Sequence, residues 1–333
     1  DDFKLRNFAV FVCLSLFSAA VFMSQLSGYI HLIFAIFFLR LFGQGLMSHT
    51  SSTSMAKIFN KNRGKALAIS WLGLSFGEGV LPALIIYLLN ILFWKKIWII
   101  IAGFIITMVL PLIIYLLKNF KDNEVKEDEQ RINFKIKHWT REEVLKDIKF
   151  YFLLPAVLCP PFLITGIFIN QIYLFENANW SLNFLALSFT AYAITTVLSL
   201  QISGYLIDKF SAVKILPFYL LPMIFGFVIS ILFKSAFSPI LFFIFVAITN
   251  GTANVLMTST WSEIYGTRNL GAIRSITISL MVFSTALSPI LFGFLIDFGL
   301  SSLKILLFML IYTLLSNLLL VCKIRSYKPV ITT

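Results

Sequence analysis

Arg40 and Glu78 are the two formal charges that lie deep inside long apolar stretches of this 333-residue chain. An ionisable group at mid-bilayer costs several kcal/mol, so it is a functional candidate by default. Arg40 sits about 11 residues from one end of its stretch and Glu78 about 13 from an end of the next; at about 1.5 Å rise per residue both fall near the midplane. A guanidinium there suits bidentate binding of an anion. A carboxylate whose arginine partner has turned to a substrate anion is then favoured to take up a proton, which would make Glu78 a proton carrier. The competing reading is that the two charges only neutralise each other and tie consecutive antiparallel helices together.

Uncharged polar groups occur at similar depth: Gln44, His49, Asn170, Gln171, Tyr192, Asn250 and Asn254. His49 is a proton-relay candidate or a hydrogen-bonded packing residue. Asn170 and Gln171 follow Pro155, Pro160, Pro161 and Gly166, which are expected to kink or loosen their helix. Arg40, Gln44, Asn170, Gln171 and Asn250 are the substrate-binding candidates, and Glu78 and His49 the proton-coupling ones. Gly73-x-x-x-Gly77 reads first as close helix packing.

These residues need helices across a bilayer to position them. The chain is 59% hydrophobic and 13% charged, against about 25% charged in a soluble domain. Continuous apolar runs predict ten spans, at about 8–26, 29–56, 65–92, 94–117, 150–175, 181–207, 213–233, 237–262, 272–296 and 302–322. The net charge of +12 does not indicate nucleic acid, because the basic residues sit in short loops between spans. One set of loops holds 22 Lys and Arg and the opposite set 4, which makes the first set cytoplasmic and puts the C-terminus inside, in a plasma or inner membrane. Cys13, Cys159 and Cys322 lie in apolar spans and imply no disulfide framework. The six tryptophans lie mostly near span ends, as an interfacial belt would place them.

An internal repeat organises the spans. Asp1 and Asp208, Gly64 and Gly271, and Pro82 and Pro289 all share one offset of 207 residues. The expected layout is an N-terminal helical half over 1–117, a polar cytoplasmic linker over 118–149, a C-terminal helical half over 150–322 and a tail over 323–333. The second half holds six spans and the first shows four. The expectation is therefore that about 60 residues carrying two helices precede Asp1, in a chain of about 400 residues with twelve helices. Within the linker, Thr140-Arg-Glu-Glu143 reads as a capping box ahead of a short surface helix.

Two six-helix halves around a basic loop resemble the major facilitator superfamily. Gly204-Tyr-Leu-Ile-Asp208-Lys209-Phe-Ser211, with Lys214 following, resembles its signature between helices 8 and 9, with Ser211 where glycine is usual. Asp1 to Arg6 resembles the end of the matching signature between helices 2 and 3, with Asp2 in place of a basic residue. The resemblance implies an all-α major facilitator fold and a gate in which Asp1, Gly204, Asp208, Lys209, Arg63 and Arg268 pair and part during alternating access. Leu39 to Gly45, Arg63 to Leu67 and Gly271 to Ser275 most resemble the monocarboxylate-transporter-like branch. The function implied is secondary transport of a small organic anion, a monocarboxylate, with protons as possible partners and the lipid bilayer as surroundings. Export or permeation of another small solute is the alternative, as is a non-transporting membrane sensor, although the linker is too short for a soluble output domain. No phosphate-binding glycine loop and no Cys/His metal spacing occurs, so no enzyme activity, metal or cofactor is expected.

Overall fold

The computed structural model describes residues 5–59, 62–118, 138–176, 182–233, 235 and 237–323; the side chains of some helical residues, Glu78 and Pro82 among them, lie outside the described set, as do Asp1 and most of the linker. All regular structure among the described residues is helical. That follows from the solvent: in lipid the backbone must satisfy its own hydrogen bonds, and an uninterrupted apolar run does so only as a helix.

Nine helical stretches among the described residues are long and apolar enough to cross a membrane. The tenth expected span is the 27-residue helix α4, Arg63–Leu89. Chain order begins with α1 (Leu5–Ser24), α2 (Tyr29–Leu39), a π-helical segment over Arg40–Met47, and α3 (Ser48–Ile58). After α4 come α5 (Trp94–Phe104), a second π-helical segment over Ile105–Val109, and α6 (Leu110–Leu116). The short helix α7 (Arg141–Lys146) leads into α8 (Ile148–Ile169), α9 (Gln171–Glu176), α10 (Leu182–Phe210) and α11 (Ala212–Ile215). A 3-10 turn over Leu216–Phe218 leads to the last four helices, α12 (Leu221–Leu232), α13 (Ser238–Tyr265), α14 (Leu270–Asp297) and α15 (Ser302–Lys323).

The chain packs as two compact units, one of residues 1–58 and 76–135, the other of 59–75 and 136–333. In the first, Cys13 and Ala20 of α1 pack on Ala102 of α5 and on Ile105. In the second, α8 runs unbroken through Pro155, Pro160 and Pro161, and the chain turns only at Asn170. The prolines do not interrupt the helix. Pro160 has no N–H for the Ala156 carbonyl, and the Tyr219 hydroxyl donates to that carbonyl instead. Ser288 Oγ donates to the Phe162 carbonyl at 2.5 Å. A Cβ on Gly166 would overlap the Phe292 ring, so glycine lets α8 and α14 approach. Trp261, four residues from the end of α13, is 1% exposed, with ring centroids 5.5 Å from Phe150 and 6.0 Å from Tyr265.

Candidate functional site

The second unit holds a dense polar junction at the starts of α4 and α11 and the ends of α10 and α13. The first amides of a helix have no partner within it and carry partial positive charge. Asp208, near the end of α10, answers those of α4: Oδ1 accepts from Gly64 N–H at 2.7 Å and Oδ2 from Lys65 N–H at 3.0 Å. The approach demands bare backbone on both sides. A Cβ on Gly64 would overlap the Gly204 carbonyl oxygen, and one on Gly204 would lie 2.7 Å from the Gly64 oxygen and 2.9 Å from Ala68 Cβ. Beside this contact, Arg63 Nη1 donates to Ser262 Oγ at 2.8 Å, with the arginine only 7% exposed.

A second carboxylate repeats the device one helix on. Glu263 is 3% exposed and caps α11. It accepts from Ser211 Oγ at 2.6 Å, Ala212 N–H at 2.8 Å and Val213 N–H at 3.1 Å. Ser211 takes a φ of +81°, a left-handed value that suits the glycine usual at this position. Such a backbone costs about 1–3 kcal/mol in a non-glycine residue, and the bonds to Glu263 offset it.

The linker end fastens to the turn after α13. The Trp139 N–H donates to the Tyr265 carbonyl at 3.0 Å, Asn269 Nδ2 to the Trp139 carbonyl at 2.9 Å, and the Tyr265 hydroxyl to Asp147 Oδ2 at 3.1 Å. The expected capping box is present: Thr140 Oγ1 accepts from Glu143 N–H at 3.3 Å, and Glu143 Oε2 from Thr140 N–H at 2.7 Å. Arg268 has an exposed side chain, and its N–H points at His138 Nδ1, 3.4 Å away. Lys209 stays local, with its ammonium over the rings of Tyr205 at 5.8 Å and Phe210 at 5.3 Å.

Away from this junction, Arg40 and Gln44 are exposed on the π-helical segment of the first unit, and His49 is half-buried on α3. Glu78 lies within α4, and its side chain is outside the described residues. In the second unit Asn170 turns back on its own helix, Nδ2 donating to the Gly166 carbonyl at 3.1 Å. Gln171 Oε1 is buried without a hydrogen-bond partner among the described residues. Asn250 Nδ2 donates to the Tyr192 hydroxyl at 2.8 Å. Tyr192 in turn packs edge-on to Phe168, 5.2 Å between centroids, and to Phe243, at 6.1 Å.

A family model described as the Major Facilitator Superfamily matches residues 1–175. The chain belongs to the major facilitator superfamily. The fold of this superfamily member extends past the matched region. A solved structure of the proton:xylose symporter XylE bound to 6-bromo-6-deoxy-D-glucose aligns with a TM-score of 0.67, covering 97% of this chain and 80% of that one at 14% identity. That likeness is one of fold. No curated protein matches the sequence. As a superfamily member the chain is an integral membrane protein and a secondary transporter, not an enzyme.

Of the residues singled out for the superfamily gate, the structure joins Asp208 to the turn after Arg63 and sets Gly204 against Gly64. It seats Arg63 on Ser262. Asp1 lies outside the described residues. Glu263 and Ser262 were not among the expected site residues. The 207-residue offset pairs Glu263 with Ala56, so the repeat carries no sign of that carboxylate.

Proposed function

We propose that this superfamily member carries a small organic anion, a monocarboxylate, by alternating access, with proton coupling through Glu78. The observation that supports the anion is Arg40: a permanent cation in the middle of a 28-residue apolar span, exposed together with Gln44 on one irregular segment. A guanidinium held at such depth needs a recurrent reason, and bidentate binding of a carboxylate is one that its geometry favours. Glu78 supplies the proton, with His49 as its relay. Asp208, with the amides of Gly64 and Lys65, acts as a cytoplasmic gate that makes and breaks during the cycle. The repeated halves 1–117 and 150–322 are the moving bodies, the linker and C-terminal tail face the cytoplasm, and the membrane is the plasma or inner one.

A second reading has its own observation. The Tyr192–Asn250 pair among Phe168 and Phe243 offers hydrogen bonds and ring faces without charge, which suits a neutral hydroxylated solute. The solved XylE structure, bound to a halogenated sugar, lends this reading the same direction. Purified protein in proteoliposomes, given labelled lactate, pyruvate, acetate and xylose in counterflow, separates the two. Exchange of carboxylates that Arg40→Gln abolishes supports the anion; exchange of xylose alone replaces it with the neutral solute.

A further inference from the structure

The irregular segment between α2 and α3 is the feature the functional reading leaves unexplained. Arg40–Met47 is π-helical inside a span that is otherwise α-helical. Bonds in this register reach one residue further, are intrinsically rare, and are frequent at functional sites. Where the register returns to α, the changeover leaves carbonyls short of a backbone donor. Ser48 stands at that junction. Its hydroxyl donates to the Gln44 carbonyl and lies 3.4 Å from the Gly45 carbonyl, to which its own N–H also bonds. Two other hydroxyls along this span, Thr50 to the Leu46 carbonyl at 2.7 Å and Ser54 to the Thr50 carbonyl at 2.6 Å, back-bond inside regular helix.

We infer that Ser48 is a positioning residue: its hydroxyl holds the π register and so sets the direction in which Arg40 and Gln44 project. The inference rests on the anion reading for the role of those two side chains, but not for the register itself. If the segment relaxed to α-helix, Arg40 would turn by roughly 100° and slide about 1.5 Å relative to α3, one residue's worth of helix. A bidentate contact does not survive such a rotation. Ser48→Thr keeps the hydroxyl; Ser48→Ala removes it without changing the bulk of the helix.

The test uses the full chain in proteoliposomes, with Cys13, Cys159 and Cys322 replaced by serine. Single cysteines are placed in turn from Phe37 to Met47 and exposed to a membrane-impermeant maleimide, and labelled lactate uptake is followed separately in the cysteine-containing chain. With Ser48 present, reactivity recurs every four to five residues or so. Ser48→Ala shifts the recurrence to about three to four and weakens apparent lactate affinity about tenfold at nearly constant maximal rate. Ser48→Thr restores both. Thr107→Ala, which removes the hydroxyl that donates to the Gly103 carbonyl beside the second π-helical segment, changes neither. An unchanged labelling pattern in Ser48→Ala overturns the inference, as does a loss confined to maximal rate. Absence of any lactate uptake by the unmodified protein overturns the anion reading instead, and the labelling pattern still decides the register.

Discussion

The Asp208 carboxylate spans two amides in the first turn of α4, 2.7 Å from the Gly64 nitrogen and 3.0 Å from that of Lys65. Charge-assisted bonds of this kind contribute about 1.5–3 kcal/mol, with the helix dipole adding about 0.3–1 kcal/mol. Asp208→Asn keeps the shape and removes the charge. It is expected to weaken the contact by about 1–2 kcal/mol and to raise the rate at which a cysteine at position 65 reacts with a maleimide from the α4 N-terminal side. Equal rates in the two proteins would mean that the carboxylate does not hold this end closed.

Gly204→Ala tests the same contact by shape alone. Its methyl would lie 2.7 Å from the Gly64 oxygen, a backbone atom with nowhere to move cheaply. Overpacking of this kind costs about 1–3 kcal/mol. The variant should show the same gain in reactivity at position 65 as Asp208→Asn, and combining the two should add little, because both break one contact. Full additivity would separate the glycine from the gate.

Ser211 permits a prediction that runs against the usual ranking of substitutions. Ser211→Ala keeps the strained φ of +81° and loses the hydroxyl bond to Glu263, so it should cost about 1–3 kcal/mol of thermal stability in detergent. Ser211→Gly loses the same bond but relieves the strain, and should lie within about 1 kcal/mol of the parent. A melting series in which glycine is worse than alanine would contradict this account of the turn.

Much of the fold was legible because hydropathy and repeat spacing report what the bilayer and duplication impose. The spans, the shared offset of Gly64 and Gly271, and the capping box at Thr140 follow from residue type and distance along the chain. The π-helical register at Arg40–Met47 was not legible, since its apolar and glycine residues fit either helix and the register depends on one hydroxyl, Ser48. The burial of Trp261 was not legible either, because hydropathy locates a residue along the membrane normal but not which neighbours cover it. Nor was the unbroken run of α8 through its prolines, since Tyr219, remote in sequence, meets the carbonyl that Pro160 frees. Nothing in the sequence marks Glu263, because the three donors that converge on it lie 50–52 residues away along the chain.

Packing between α8 and α14 gives a stability prediction independent of transport. A methyl on Gly166 meets the Phe292 ring and lies 2.7 Å from Ser288 Oγ. Gly166→Ala should lower the thermal midpoint in detergent by an amount equivalent to about 1–3 kcal/mol. Phe292→Leu in the same chain should recover part of the loss, although it is destabilising alone. Equal losses summed in the double variant would show that the two residues do not meet.

A carrier whose intramembrane charges couple it to protons accumulates its substrate against a gradient. Proteoliposomes loaded at high pH and placed in acidic medium with labelled lactate are followed for uptake, using the unmodified protein and Glu78→Gln. The unmodified protein should show concentrative uptake that collapses with a protonophore. Glu78→Gln should still equilibrate lactate down its own gradient but no longer concentrate it. Undiminished proton-driven accumulation in Glu78→Gln would rule out Glu78 as the proton carrier.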